Sequence, residues 1–151
     1  MDKAFYFEQL YPLQDEALAL LAGLDTGLYL TGIELVNDVP SHIGAVHRHP
    51  VLGHLDSPEN ILANKISALV DRREPKDLAD IWGFCCRMGL SLETALEDVH
   101  SKAAGIFPLD VARLLCTATA DDWRLIRWIE TPAEKAFLAD LQALGEQLLV
   151  E

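Results

Sequence analysis

The sequence predicts an α+β protein, with a small β region near the N-terminus and a helical bundle after it. Residues 28–36 contain four side chains that favour strands, Tyr29, Thr31, Ile33 and Val36. From Asp56 onward, apolar residues recur at helical spacing between serine, proline and glycine signals. Of the 151 residues, 50% are hydrophobic and 24% are charged, so a disordered or collagen-like chain is excluded.

The change of character near Asp56 defines two parts of one predicted domain, which covers residues 1–151. Residues 1–55 form a small strand region with one helix, and residues 56–151 form the helical bundle. The first part is too small to bury a core of its own, so we expect it to pack on the second.

The N-terminal part contains one predicted helix and several short strands. Pro12 precedes a helix over 14–24, which has leucines at near-helical spacing. Gly32 lies in the middle of the strand at 28–36, which indicates a bulge or a junction of two strands. The remaining elements are a turn at 37–40 and two weaker strands at 43–46 and 51–55.

Each helix of the second part begins at a recognisable signal. Ser57 with Pro58 and Ser91 are typical N-terminal caps, and the sequence from Thr131 to Glu134 is typical of a capping box. The predicted helices cover 59–71, 75–88, 91–105, 108–115, 121–129 and 133–149.

The charge balance limits the classes of partner. Twelve basic and 24 acidic residues give a formal net charge of −12, which repels nucleic-acid phosphates and anionic lipid. No apolar run is long enough to span a membrane, and the N-terminus does not resemble a signal peptide. We therefore expect a cytoplasmic protein that binds neither DNA nor a membrane.

Cysteine and histidine patterns do not predict a metal site. Cys85, Cys86 and Cys116 form no Cys-x-x-Cys pair, and we expect three buried thiols on helices in a reducing compartment. The four histidines between positions 42 and 54 are expected to be solvated loop side chains, with a metal site as the alternative. Trp123 and Trp128 are expected to be core residues of the fifth helix, with a nucleobase platform as the alternative.

The most informative segment is the predicted pair of helices around Pro75. Lys65 and Arg72 are seven residues apart, so both project from one face of the first helix. Asp77 and Asp80 are three apart on the second helix and share a face. The turn at Pro75 folds the second helix back beside the first, so the four side chains are expected to converge.

Two interpretations of this convergence remain open. Lysine and arginine bind polyphosphates, and carboxylates hold hydroxyl groups or magnesium. Alternatively, the four side chains neutralise one another in an ion-pair network that joins two helices. Exposed pairs of this type contribute only about 0–1 kcal/mol each.

One spacing within this segment resembles a known family: Lys65-x6-Arg72-x4-Asp77-x2-Asp80. It is similar to the C-terminal signature of the AbiEii-type nucleotidyltransferase-like toxins, the toxin halves of abortive-infection toxin–antitoxin pairs in the DNA polymerase β-like nucleotidyltransferase superfamily. The similarity extends from about Leu28 to the C-terminus. The resemblance implies that Lys65 and Arg72 bind a nucleotide, and that Lys65, Asp77 and Asp80 serve catalysis.

The chain departs from this family where magnesium would bind. Residues 28–32 resemble the strand that enters the family's active site, but the Asp-x-Asp that holds two magnesium ions does not follow it. Instead, Gly32 continues into a strand that resembles a later one of the family, with Glu34 at the place of the third carboxylate. The resemblance implies magnesium and a nucleoside triphosphate as cofactors. Because one carboxylate cannot replace the three that hold magnesium in the family, we expect two-metal catalysis to be lost.

The function predicted on this basis is a degenerate nucleotidyltransferase-like protein that keeps a nucleotide- or phosphate-binding remnant. The alternative is a non-catalytic interaction module that binds an antitoxin, a sibling protein or a second copy of itself. A third hypothesis is a complete enzyme whose missing carboxylates come from a partner chain. Loss of a sheet hairpin would leave an exposed strand edge, so we expect a homodimer or a bound protein partner.

Overall fold

The computed structural model describes residues 42–50 and 53–149. The predicted helix at 14–24, the strand at 28–36 and Glu34 lie outside these residues. The chain divides into two units, one made of residues 1–40 and 45–56 and the other of residues 41–44 and 57–151. Each unit is described by itself below.

The described part of the first unit is an antiparallel β-hairpin, which together with the helices confirms the α+β class. Strands β1 (His47–His49) and β2 (Gly53–Leu55) pair with Arg48 opposite His54. The strand predicted at 43–46 is therefore wrong, because Gly44 adopts a left-handed conformation (φ 74°) that interrupts an extended run there. Three of the histidines consequently lie on strands and not in a loop.

The second unit contains six α-helices within the described residues. They are α1 (Pro58–Arg72), α2 (Pro75–Trp82), α3 (Leu92–Lys102), α4 (Pro108–Cys116), α5 (Ala120–Leu125) and α6 (Glu134–Gln147). A π-helical turn, Gly83–Arg87, extends α2 toward Gly89, whose φ of 75° ends the run as predicted.

The predicted caps of α1 and α3 are confirmed. The Ser57 hydroxyl accepts a hydrogen bond from the Asn60 amide (3.0 Å), and Ser91 accepts one from the Thr94 amide (3.2 Å). Ser57 is fully buried and also donates to the carbonyl of Ile43, whose amide donates to the Asn60 side chain (3.2 Å). The start of α1 therefore holds the chain segment at Ile43 in place.

Two predictions about the fifth and sixth helices are wrong. Helix α5 ends at Leu125 and not at Ile129, because Ile126 is extended (ψ 132°). The predicted capping box at Thr131 does not form, since Ala133 is extended and α6 begins only at Glu134.

Indole hydrogen bonds explain both differences. The Trp128 indole donates to the carbonyl of Trp123 (3.0 Å), and the Trp123 indole donates to the carbonyl of Pro132 (3.2 Å). These bonds hold the connection after α5 in a non-helical path. A capping box does occur in this region, between Thr119 and Asp122 at the start of α5.

Helix α1 is central to the core of the second unit and packs against α2, α3 and α4, while α4 also packs against α6. Leu62 and Ile66 of α1 and Phe137 of α6 are fully buried. No helix in the described residues is long and apolar enough to cross a membrane.

Candidate functional site

The candidate site lies where α1 turns into α2. Arg73 adopts the left-handed conformation (φ 53°) that ends α1, and Glu74 is extended before Pro75 opens α2. This two-residue turn folds α2 back beside α1. We call the side chains that meet here the charged elbow: Lys65, Arg72, Asp77 and Asp80.

The strongest contact of the charged elbow joins Arg72 to Asp77. Arg72 Nε donates to Asp77 Oδ2 (2.8 Å) and Nη2 donates to Oδ1 (2.7 Å), which is a bidentate pair. The side chain of Asp77 is fully buried, whereas that of Arg72 is 41% exposed. Burial of the carboxylate fixes the plane of the guanidinium, and one side of the pair remains open to solvent.

Lys65 lies between the two carboxylates. Its Nζ is 2.7 Å from Asp80 Oδ2 and 3.9 Å from Asp77 Oδ1. The Lys65 side chain is 29% exposed and that of Asp80 is 40% exposed, so water screens this pair more than the Arg72–Asp77 pair.

Two further charges lie at the edge of the charged elbow. Glu74 Oε2 is 2.9 Å from Lys76 Nζ and 3.9 Å from Arg72 Nε. The family signature does not single out Glu74 and Lys76, although they flank Pro75 at the turn. Glu74 and Lys76 could have been found in the sequence from their position on either side of Pro75, which forms the turn between the two helices.

The structure brings together all four residues that the sequence analysis proposes on the two helices. Glu34, the fifth candidate, lies outside the described residues. The contacts are those of an ion-pair network, in which the two cations, Lys65 and Arg72, are both partly exposed. Both interpretations therefore require the same geometry, and competition by an added anion separates them.

The carboxylates of the charged elbow do not fit a magnesium site. Both oxygens of Asp77 accept hydrogen bonds from Arg72, and Oδ2 of Asp80 faces Lys65. Magnesium needs carboxylate oxygens that are available as ligands. Within residues 42–50 and 53–149, no group of three or more histidine, cysteine or acidic side chains is placed to hold a metal ion.

The hairpin histidines are divided between two faces. His47 and His49 are two residues apart on β1 and share a face, whereas His54 is opposite Arg48 on the other face. Residues that alternate across a strand cannot ligate one ion together. The three imidazoles therefore cannot ligate one ion together, and among them only His47 and His49 share a face.

Only one of the three cysteines is buried, which corrects the prediction that all three are. Cys85 is buried, while Cys86 and Cys116 are exposed, and all three are free thiols. Consecutive residues of a helical turn point in different directions, so Cys85 and Cys86 cannot both face the core. Burial, together with the neighbouring Cys86, raises the pKa of Cys85 to about 12. Partial desolvation, and then the charge of Asp140, raise the pKa of the exposed Cys86, although Arg87 opposes this.

An aromatic cluster packs beside the charged elbow. The rings of Trp82, Trp128 and Phe137 contact one another edge-on, with centroids 5.2–6.1 Å apart. The Trp82 indole donates to Asp140 (2.8 Å), and the Arg87 guanidinium lies 4.9 Å from the centre of the Trp82 ring. Trp128 thus contributes to packing, although it lies beyond the fifth helix. The sequence pattern does not single out Trp82 and Arg87, because their contact depends on the π-turn.

Comparisons with known proteins add no relative. The chain matches no family model, and neither a curated protein nor a solved structure is similar to it. The resemblance of the charged elbow to the AbiEii-type signature therefore stays a prediction from the sequence.

Proposed function

We propose that this chain is a degenerate nucleotidyltransferase-like protein whose charged elbow binds the phosphates of a nucleotide without two-metal catalysis. The observation that carries the proposal is the bidentate Arg72–Asp77 pair, in which a fully buried carboxylate orients a 41% exposed guanidinium. Lys65 adds a second oriented cation beside it. The proposal includes a cytoplasmic location and a protein partner, either a second copy or an antitoxin-like protein.

An anion can enter this network because the four side chains differ in exposure. Asp77 cannot leave Arg72 without stranding a buried charge, so it stays as the positioning group. Asp80 is 40% exposed and can return to water when a phosphate replaces it at Lys65. A phosphate would then contact both Lys65 and Arg72, and arginine is suited to bind its oxygens with two donors.

The proposal excludes two-metal transfer because the described carboxylates do not fit magnesium. Nucleotidyl transfer depends on metal ions that activate the attacking oxygen and neutralise the leaving pyrophosphate. Both oxygens of Asp77 are engaged by Arg72, and Asp80 alone cannot hold two magnesium ions, so this chain's contribution is to bind and orient phosphates.

Thermal unfolding with and without a polyphosphate tests the binding. We expect tripolyphosphate and nucleoside triphosphates to raise the Tm of the native chain, by mass action on the folded state. The double variant Lys65→Ala/Arg72→Ala leaves the buried Asp77 carboxylate unpaired, so its Tm without ligand should be lower, and polyphosphate should no longer raise it. The matched control Lys76→Ala/Arg124→Ala removes two exposed cations outside the charged elbow and should keep the increase.

The outcome that contradicts the proposal is an unchanged Tm of the native chain at saturating polyphosphate, combined with a lower Tm of the Lys65/Arg72 variant. That result assigns the charged elbow to stability alone. A transfer assay onto RNA or protein, with magnesium and each nucleoside triphosphate, should show no turnover; turnover would contradict the loss of catalysis.

A second candidate function is a non-catalytic interaction module. It is favoured by Leu125 and Ile129, which are 72% exposed and fully exposed, on one short stretch of the described chain. Large apolar side chains that lie close together on a surface are typical of protein-binding sites. Isothermal titration with ATP and GTP separates the two functions, since absent or millimolar binding favours the interaction module.

A further inference from the structure

A groove of about 890 Å³ runs between α2 and the connection that joins α5 to α6. We call it the arginine groove and define it by six of its lining residues: Trp82, Arg87, Leu125, Arg127, Trp128 and Ile129. Its floor is rigid, because Trp82 and Trp128 pack edge-on against Phe137. A surface whose aromatic side chains are already held in place loses little conformational entropy when it binds a partner.

The π-turn places Arg87 in this groove. Arg87 lies five residues after Trp82, and a hydrogen-bonding pattern from residue i to residue i+5 brings such residues onto one face. A regular α-helix would instead align residues three and four apart. The π-turn therefore stacks a guanidinium on the Trp82 ring at the groove's edge, and π-turns are frequent at functional sites.

The charges of the groove differ from those of the chain as a whole. The chain carries 24 acidic and 12 basic residues, yet neither Arg87 nor Arg127 forms an ion pair with a carboxylate in the described part of the molecule. Two acids also line the groove: Asp80, which Lys65 neutralises at 2.7 Å, and Glu130. Lys76 lines it as well but is paired with Glu74 (2.9 Å), so the local positive charge of the groove comes from Arg87 and Arg127, with Glu130 opposing it.

The apolar residues complement these cations. Leu125 and Ile129 project into solvent beside Arg127, and Trp and Arg are the residue types that most often dominate binding energy at interfaces. A bound group with both carboxylates and an apolar side chain matches this combination. A polynucleotide would offer phosphates to the arginines but no aliphatic group for Leu125 and Ile129.

We propose that the arginine groove binds an acidic segment of a partner protein, with its carboxylates on Arg87 and Arg127 and an apolar side chain against Leu125 and Ile129. A second copy of this chain fits less well, because both copies carry a net charge of −12 and repel each other. The groove shares Asp80 with the proposed phosphate site, but the contacts proposed for the peptide involve neither Lys65 nor Arg72.

A peptide titration tests this assignment. The probes are a synthetic peptide of alternating Glu and Leu, a matched peptide of alternating Lys and Leu, and a single-stranded oligothymidylate. Intrinsic tryptophan fluorescence reports binding, because two of the three tryptophans line the groove. We expect saturable binding of the Glu–Leu peptide, and binding weaker by about tenfold or more for the other two probes.

Three variants locate the binding. Arg127→Glu and Ile129→Asp should each lower the affinity for the Glu–Leu peptide by about tenfold, as expected for the loss of one interface anchor. Both side chains are exposed, so the folded state should persist, and thermal unfolding checks this. The control Arg124→Glu changes an exposed arginine that pairs with Asp121 outside the groove and should leave the affinity unchanged.

Equal weakening by Arg124→Glu, equal affinity for the Lys–Leu peptide, or tighter binding of oligothymidylate would each overturn the proposal. The Arg72→Ala variant, which keeps Lys65 against Asp80, should bind the Glu–Leu peptide normally, whereas polyphosphate should no longer raise its Tm. Failure of the groove and failure of the phosphate site are thereby distinguished.

Discussion

Asp77 is the only charged residue in the described part of the chain that is fully buried. Its two oxygens both accept hydrogen bonds from Arg72, whereas Asp80, three residues later on the same helix, makes one partly exposed contact with Lys65. The two aspartates occupy similar positions in the sequence, but their ion pairs are expected to contribute differently to the free energy of unfolding. Burial of the acceptor is what separates them.

The first prediction compares these aspartates by isosteric substitution. Asp77→Asn should lower the free energy of unfolding by about 1–3 kcal/mol, because it leaves the Arg72 fork without its charged acceptor. Asp80→Asn should change it by less than about 1 kcal/mol, as is typical of an exposed pair. Urea denaturation measures both values, and equal losses would contradict the distinction.

A second prediction concerns Cys85. Its pKa is raised from an ordinary 9.0 to about 12 in the folded chain, mainly by burial. Above pH 9 the unfolded chain loses the thiol proton while the folded chain keeps it. Stability is therefore intact below pH 9 and falls between pH 9 and 12, by at most about 1.4 kcal/mol per pH unit.

The variant Cys85→Ala isolates this effect. Its free energy of unfolding should decline less steeply than that of the native chain between pH 9 and 12, as measured by denaturation at each pH. Parallel curves would show that the Cys85 thiol ionises equally in both states. The control Cys116→Ala changes an exposed thiol and should keep the native slope.

At the scale of elements, α4 and α6 approach each other closely at Gly145. A Cβ at this position would lie 2.8 Å from the carbonyl oxygen of Ala112 and 2.5 Å from Cys116 Sγ. The backbone oxygen cannot move aside without displacing α4. This contact explains why a glycine, which is unfavourable within a helix, lies in the last turn of α6.

The third prediction follows from this approach. Gly145→Ala should destabilise the chain by about 1–3 kcal/mol through overpacking between α4 and α6. Gly83→Ala is the matched control, because nothing lies within 4 Å of its added Cβ and its φ of −60° suits alanine. The control should be neutral or stabilising by up to about 1 kcal/mol. Thermal unfolding measures both, and a stable Gly145→Ala would show that the helices can separate at little cost.

Helix starts could be predicted from local signals, whereas some helix ends could not. Pro58, Pro75 and Pro108 each open a helix at the predicted place, because proline fits the first turn and disfavours helix before it. The end of α5 at Leu125 depends on indole hydrogen bonds to Trp123 and Pro132 carbonyls. These contacts form only when the aromatic residues pack.

At the scale of the whole molecule, the net charge of −12 makes two copies of the chain repel each other. Self-association must overcome this repulsion, which salt screens over about 10 Å at 0.1 M. The fourth prediction is a homodimer, expected from the strand edge that a missing hairpin would leave, with a larger dimer fraction at high salt. Light scattering at low and high ionic strength measures it.

A strict monomer at high micromolar concentration under both conditions would contradict the predicted dimer. The variant Ile129→Asp tests which surface forms the dimer. If the dimer forms through a strand edge and not through the arginine groove, this variant should leave the mass in solution unchanged.

The sequence by itself determined the α+β class, the helix starts and the grouping of Lys65, Arg72, Asp77 and Asp80, because these follow from local conformational preference and helical spacing. Only the tertiary structure decided that Asp77 is buried under the Arg72 fork, and that the Cys86 thiol faces solvent. It also decided that Arg87 stacks on Trp82. Such features depend on which surfaces meet when the helices pack, and the spacing of residues along a chain does not contain that information.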